Sequence, residues 1–406
     1  MDYRVETELK ERLQSLLEDQ PEESSLLQPF YTDARIYEHD IARIHMRRWL
    51  CAGHASEIPE AGDWFRFNVA GESLIIVRGR DGEVRALVNV CRHRGSVICA
   101  EQSGRSNRLI CPYHGWTYDL EGRLRSARNM PDLDLASHSL SSVHCRTVEG
   151  LVYVCFAQDP PDFTLVEEVI PQSLGRFGWA SAKVAHRASY TVKGNWKLVT
   201  ENYQECYHCR PSHPEFARFH ATERPDEKSE DLRARAADQA AAQGIEIEEC
   251  DKWPGGDGLG GEGVGCANDA MYEGSVTGSR DGTPLAPLMG DFKEFCDGFF
   301  TYVETGPASF FLAYPDHGLV YLFMPRGPQQ TDMDVLWLVD GKAEEGRDYA
   351  KEELIWLWDI TSIADKRIIE DNQRGVNSRY YRPGPYAPME KLTRRFSAWY
   401  LEEVRP

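Results

Sequence analysis

The sequence predicts an α+β chain, rich in strands over its first part and mixing helices with an antiparallel sheet in its second. Three observations carry that expectation. Residues 44–160 are a series of short strand-like runs and turns, with Leu74-Ile75-Ile76-Val77 and Val84 to Val90 joined across Arg80-Asp81-Gly82 as a hairpin. Strand-like runs return at Ala308–Tyr314, Gly318–Pro325 and Met333–Val339. One long helix is expected from about Arg347 to Arg374, with Gly375 placed to end it.

The remaining elements follow in order. Residues 1–43 read as an arm, helical from Glu6 to Leu17 and extended afterwards. Leu151–Phe156 closes the strand-rich part and Pro160-Pro161 marks a boundary, so 44–160 and 161–406 are expected as two domains. Residues 196–209 read as a helix that Pro211 must end or bend. The stretch 221–266 is charged, then glycine-rich from Pro254-Gly255-Gly256-Asp257-Gly258 onward. With little apolar periodicity, it is expected to be a long surface excursion, a lid or a subunit contact.

Composition narrows the function. The chain of 406 residues has room for two or three domains, and its 41% apolar content can fill their cores. A net charge of −19 argues against a nucleic-acid surface, which needs clustered Lys and Arg. No apolar run approaches the ~18–20 residues that span a bilayer. Met1-Asp2-Tyr3-Arg4-Val5-Glu6 lacks the basic patch and apolar stretch of a signal peptide. The 11 cysteines are odd in number and unevenly placed, which favours reduced thiols and metal ligands over a disulfide framework. A cytoplasmic location follows as the expectation.

Two constellations carry chemistry. Cys91-Arg92-His93-Arg94-Gly95 and Cys111-Pro112-Tyr113-His114-Gly115-Trp116 each hold one Cys and one His. Two thiolates suit one iron of a two-iron, two-sulfur cluster, and two neutral imidazoles suit the other and raise its potential. Gly95 and Gly115 let the backbone approach inorganic sulfide. A zinc finger would instead pair Cys with Cys and His with His. The second constellation is Glu201-Asn202-Tyr203-Gln204-Glu205-Cys206-Tyr207-His208 followed by His213-Pro214. Residues five apart lie about 140° round a straight helix, so the chain must leave the helix after His208 to bring His213 beside it. Two His and one carboxylate on one face of iron(II) leave the other positions open to dioxygen and substrate. Asp359, Asp365, Glu370 and Asp371 are the carboxylates on offer in the long helix. Cys206 and Cys209 support a competing reading, a zinc or redox Cys-x-x-Cys site.

Together these motifs resemble the α-subunits of Rieske non-haem iron oxygenases over nearly the full length. The resemblance implies a β-rich Rieske [2Fe-2S] domain followed by a helix-grip catalytic domain. It assigns Cys91, His93, Cys111 and His114 to the cluster and His208 and His213 to the iron. The segment from Asp365 to Gly375 resembles the family's Asp eight residues ahead of Gln-x-Gly, which makes Asp365 the third ligand and Asp371 the runner-up. A homotrimeric head-to-tail ring is implied too, in which Glu205 joins His208 to His114 of the partner subunit.

The branch is also indicated. Aromatic-ring members usually carry Asp at position 205, whereas Glu in Glu-Asn-Tyr-x-Glu-Cys-Tyr-His-Cys resembles the members acting on quaternary ammonium compounds. The tail from Gly375 to Tyr386 is similar to that of betaine demethylases. The implied reaction is hydroxylation of an N-methyl group with O2, releasing formaldehyde; an aromatic-ring-hydroxylating α-subunit is the alternative. No dinucleotide fingerprint with a following acidic residue is present, so NAD(P)H electrons are expected through a separate reductase. A quaternary ammonium has no N–H and is held by aromatic faces; Tyr203, Phe310, Tyr314, Tyr321 and Phe323 are the candidates. A substrate carboxylate wants an Arg or a backbone N–H, and the sequence does not choose between them.

Overall fold

The computed structural model describes residues 3–222, 227–246, 250–252, 262–295 and 298–406. The expected hairpin forms: Glu72–Arg78 pairs antiparallel with Val84–Val88, and Gly82 takes the positive φ (+86°) that closes the turn. These strands sit inside a seven-stranded sheet. Its order is Leu50–His54, Leu151–Cys155, Ser142–Val148, Val84–Val88, Glu72–Arg78, Asp63–Val69 and Ser103–Arg105. Three short strands, Leu109–Ile110, Thr117–Tyr118 and Leu124–Ser126, form a small sheet that carries the second Cys/His loop. Trp64, Ile75, Val77, Leu87, Trp116 and Tyr118 pack around the buried Cys91 and Cys111, so the cysteine ends of both loops rest on a core of their own.

The second part is one seven-stranded sheet, antiparallel at every step. Its order is Ala182–Val192, Gln330–Asp340, Gly318–Gly327, Ser309–Ala313, Phe299–Thr305, Val264–Ala270 and Cys250–Lys252. The long helix lies against its first strand and against the helix Trp196–Tyr203. This is the α+β, helix-gripping arrangement expected. The helix runs Lys351–Val376, so it starts later than Arg347 and passes through Gly375 to a cap at Asn377. No helix among the described residues is long and apolar enough to cross a membrane.

Three expectations change. The residues after Leu17 are not extended: Gln28–Thr32 and Ala34–Asp40 are short helices, followed by a π-type turn at Ile41–His45. Pro29 in the first turn of one and Asp33 accepting from Arg35 N–H at the start of the next explain why. The segment is no free arm, since Leu13, Phe30, Tyr31, Ile36 and Ile44 share a core with Trp196, Phe396 and Tyr400. In the second change, the helix from Trp196 stops at Tyr203 instead of reaching 209. The third concerns 221–266. Its Pro254–Gly258 run lies outside the described residues, but Glu227–Ala242 is a helix with Ala236 and Ala240 buried in the main core. That stretch is a wall of the molecule as well as an excursion from it.

One polar contact ties the ends of the chain to its centre. Asp40 and Lys197 form an ion pair with both side chains fully buried. Asp40 also accepts from Tyr400 Oη at 2.9 Å and Trp196 Nε1 at 3.3 Å. Removing one partner strands a buried charge. Asp40→Leu is therefore expected to lower unfolding free energy by about 3–5 kcal/mol in denaturant titration. Adding Lys197→Met should recover most of that loss; an undiminished loss in the double variant would refute the pairing argument.

Candidate metal centres and substrate cavity

The two Cys/His loops are built alike. In each, the Cys carbonyl accepts from the Gly four residues on (Gly95 N at 2.9 Å, Gly115 N at 3.0 Å). The Cys N–H donates one residue further, to Ser96 O at 2.9 Å and Trp116 O at 2.8 Å. Gly95 and Gly115 have φ of +78° and +73°, and a Cβ built on either would meet no protein atom within 4 Å. Backbone strain thus demands glycine, and open space lies beside it. The thiols are buried, whereas the imidazoles reach the surface with their Nδ1 atoms 3.1 Å apart. His93 stacks on Trp116 and His114 on Tyr113. Two thiols and two convergent Nδ1 atoms around an open pocket fit a cluster held by a pair of cysteines on one iron and a pair of histidines on the other.

The second centre begins with a broken helix. Asn195 caps the start, its side chain accepting from Lys197 N–H. After Tyr203 the Glu205 carboxylate accepts from Tyr207 N at 2.5 Å and His208 N at 3.2 Å, offering those amides an alternative to helical bonding. A short helix, Cys209–Ser212, then places His208 at its start and His213 at its end, and tolerates Pro211 in its first turn. Both imidazoles meet Asp365 of the long helix: His208 Nε2 and His213 Nε2 each lie 3.2 Å from Asp365 Oδ1. Yet His213 Nε2 and Asp365 Oδ1 are buried without an aligned hydrogen-bond partner. Close approach without hydrogen-bond alignment means that these atoms point at a common centre. Ligand atoms held ~2.1 Å from one ion at right angles stand about 3 Å apart, so the residues fit a metal. The other carboxylates are occupied elsewhere. Asp359 accepts from Tyr190 Oη, Glu370 from Lys193 N and Lys366, and Asp371 sits on the surface with Arg374.

The electrostatics suit a cation at that centre. Burial works against charge on Asp365, but His208 and His213 outweigh it and hold the carboxyl below its ordinary range. Burial likewise opposes charge on His208, yet Asp365 and Glu205 carry its pKa up to about 9. Glu205 Oε1 lies 2.6 Å from His208 Nδ1, which fixes the proton on that nitrogen and leaves Nε2 to face Asp365.

A cavity of about 410 Å³ opens beside this triad. Phe300, Tyr302, Phe310 and Tyr321 line it from the sheet, Tyr203, Phe216 and Trp358 from the helical side, and Arg233 and Asp269 from one edge. Of the five aromatic candidates, Tyr203, Phe310 and Tyr321 are in place. Tyr314 is fully buried, 2.8 Å from His220 Nε2, and Phe323 lies beneath the Tyr203 ring at a 4.9 Å centroid distance. Both fail because they lie beyond the stretch of sheet that faces the triad.

Family comparisons fall on the same two parts of the chain. Residues 48–140 match the Rieske [2Fe-2S] domain and residues 179–405 the ring-hydroxylating alpha subunit catalytic domain. The chain belongs to the α-subunits of Rieske oxygenases. Among this family's members, the glycine betaine monooxygenase oxygenase subunit of Pseudomonas aeruginosa (strain UCBPP-PA14) is 34% identical over 384 residues, covering 94% of this chain and 89% of that one. The protein of the same description from Chromohalobacter salexigens is 36% identical, covering 92% and 84%. A solved quaternary ammonium Rieske monooxygenase that oxidises carnitine superposes with a TM-score of 0.72 at 23% identity, covering 94% and 95%. Naphthalene 1,2-dioxygenase from Rhodococcus superposes at 0.66 and 19% identity, covering 98% of each chain. The Rieske α-subunit therefore carries a [2Fe-2S] cluster and a mononuclear iron.

Several lining residues escaped the sequence reading. Phe300 and Tyr302 alternate on the strand Phe299–Thr305, a period-2 signal that marks one face. Trp358, Thr361 and Asp365 are spaced i, i+3, i+7 on the long helix and so share the face that lines the cavity. Cys206 and Cys209 are joined by a disulfide, contrary to the reduced-thiol expectation at this pair, while Cys51, Cys91, Cys99, Cys111, Cys145 and Cys155 are thiols. The three-residue separation across one tight turn brings their Cα atoms to 4.9 Å.

Asp365→Ala is expected to abolish mononuclear iron while Asp371→Ala retains it, with the visible absorption of the cluster surviving in both; equal iron content in the two would remove Asp365 from the site. A pH effect accompanies the metal. His208 in the metal-free chain has a pKa raised above its ordinary 6.5 to about 9. Its stabilising charge is complete below about 6.5 and is lost as pH rises through about 9. A ligating imidazole must be neutral, so adding iron(II) to metal-free protein at pH 7.5 should release close to one proton per chain in a weakly buffered titration.

Proposed function

We propose that this Rieske α-subunit is a monooxygenase that demethylates a betaine, inserting oxygen into an N-methyl C–H bond. The observation that carries the reading is the cavity itself: aromatic faces line a chamber whose end wall is His208, His213 and Asp365. A trialkylammonium group has no hydrogen to donate, so ring faces are its natural partners, each worth about 0.5–2 kcal/mol. The relatives described as glycine betaine monooxygenase subunits support the same substrate class.

Iron held by His208, His213 and Asp365 supplies dioxygen activation, and the cluster held by Cys91, Cys111, His93 and His114 supplies electrons. The chain's own residues do the rest. Tyr203, Phe310 and Tyr321 hold the cation against one wall and keep bulk water from it. Glu205 keeps the His208 tautomer and ring orientation fixed. The overall balance takes O2, two electrons and two protons, gives an N-hydroxymethyl group and water, and the resulting hemiaminal releases formaldehyde as its C–N bond breaks. Electrons come from NAD(P)H through a separate reductase, as in the family, and thiols such as Cys51, Cys99, Cys145 and Cys155 suit a cytoplasmic setting.

The same reading includes a homotrimer. His93 and His114 stand at the tip of the Rieske part among the exposed side chains of Val97, Ile110, Tyr113 and Met130. On the far side of His208, Glu205 lines a second hollow of about 280 Å³, with Tyr207 nearby at 62% exposure. The tip also bears the exposed Arg92 and Arg94, so its positive charge complements the acid-lined hollow, and head-to-tail packing of copies would put Glu205 between His208 and His114 of the partner subunit.

Turnover with a betaine panel and a surrogate reductase, scored as formaldehyde, tests the substrate; an aromatic-ring substrate releases none. Glu205→Gln keeps a hydrogen-bond acceptor but removes the charge. It should retain iron and lose about 10–100-fold in turnover, with slower reoxidation of the reduced cluster under substrate and O2. Unchanged reoxidation would take Glu205 out of the electron route.

A further inference from the structure

The cavity has two chemically different ends. At one, His208, His213 and Asp365 converge; at the sheet-edge side, Arg233 of the helix Glu227–Ala242 meets Asp269 of the strand Val264–Ala270, Arg233 Nη1 lying 3.0 Å from Asp269 Oδ1. Strand register sets what lies between. Asp269 pairs with Phe300 and Ala267 with Tyr302; on the next strands Tyr302 pairs with Leu312, and Phe310 with Tyr321. All of these side chains line the cavity. The floor is therefore a run of ring faces with a guanidinium at its outer margin, and Ala267 leaves room above that margin.

We infer that Arg233 is the anchor for the substrate's carboxylate, and that it makes the enzyme select betaines over quaternary ammonium compounds that lack an acid group. This rests on the N-demethylase reading above and assigns the recognition of the substrate's second charge. A guanidinium has five N–H donors in a planar fork; Asp269 takes a bond from Nη1 alone, leaving donors for a second carboxylate. The side chain is about a third exposed, at 36%, so it can exchange water for a ligand without a large desolvation cost. Lys391 is the other cation on the lining. It adjoins Glu390, which lies close enough to Glu205 to feel its charge, so an incoming carboxylate on that side meets acidic groups. A point-like ammonium also lacks the fork that matches a carboxylate. Aromatic faces take the cation, Arg233 takes the anion, and the zwitterion is laid along the floor with its methyl groups toward the triad.

The test uses the holoenzyme with its reductase. For wild type, Arg233→Met, Arg233→Lys, Asp269→Asn and Lys391→Met, KM and kcat are measured for glycine betaine and for a longer-chain betaine. Choline, which has no carboxylate, is measured as substrate or as competitive inhibitor. Arg233→Met should lower the preference for betaine over choline by about 10–100-fold, the range of a lost charged hydrogen bond, through KM far more than kcat. Arg233→Lys should recover part of the loss, and Asp269→Asn, which keeps the guanidinium but loosens it, should lose less than Arg233→Met. An equal rise for betaine and choline would make Arg233 a structural residue and overturn the assignment, as would a loss of preference in Lys391→Met with Arg233→Met unaffected. Should wild type release no formaldehyde from any quaternary ammonium compound, the demethylase reading fails first and takes the anchor with it.

Discussion

The catalytic half is organised by one carboxylate doing three jobs. Glu205 accepts from two backbone amides and from the His208 ring, all within one turn. The first two bonds divert the chain out of the helix that began at Trp196. The third fixes which imidazole nitrogen carries the proton, so that Nε2 is presented toward Asp365. Without the break, His208 and His213 would lie on different sides of one helix; with it, they flank a four-residue turn and meet the long helix from the same direction. The convergence of His208 and His213 on Asp365 is thus a consequence of a local competition between side-chain and backbone hydrogen bonding.

That turn could not hold a metal alone. The long helix is gripped by the antiparallel sheet, and its Trp358, Thr361 and Asp365 face the cavity on one stripe. The short helices near the N-terminus brace the opposite side through the buried Asp40–Lys197 pair and the core shared with Tyr400. A facial triad demands positional agreement of a few tenths of an ångström, and rigid elements supply it better than loops. The Rieske part follows the same logic on a smaller scale. Buried cysteines on a private core anchor the loops, and the histidine ends are left at the surface, where a cluster can exchange electrons with another chain.

Polarity in the cavity is arranged by distance from the triad. Next to it lie aromatic rings; further along the sheet lies the Arg233–Asp269 pair. A chamber of this kind excludes water where the reactive chemistry occurs and places its charge recognition where desolvation costs least. The Cys206–Cys209 bond lies in the same turn as His208 and lines the chamber, adding a covalent constraint to the hydrogen-bonded one.

Much of this was legible in the residues themselves, for a physical reason. Metal ligation is a property of side-chain type and short spacing, so Cys91, His93, Cys111, His114, His208 and His213 stood out before any fold was known, and the glycines beside the cluster cysteines declared the turns they occupy. Strand identity was equally open, because short runs of β-branched, aliphatic and aromatic residues bounded by turn residues mark strands buried on both faces. What tertiary structure alone decided was everything that depends on distant segments meeting. Four acidic residues of one helix are alike in chemistry; a family motif favours Asp365, but only packing against the turn at 205–213 brings its carboxyl to both histidines. Tyr314 and Phe323 are as aromatic as Phe310 and Tyr321, and only their position along the sheet removes them from the cavity. Arg233, in a stretch with no apolar period to place it, becomes part of the chamber solely because its helix docks on the strand bearing Asp269. Local chemistry is written residue by residue, whereas a pocket is a relation between surfaces, and that relation exists only once the chain has folded.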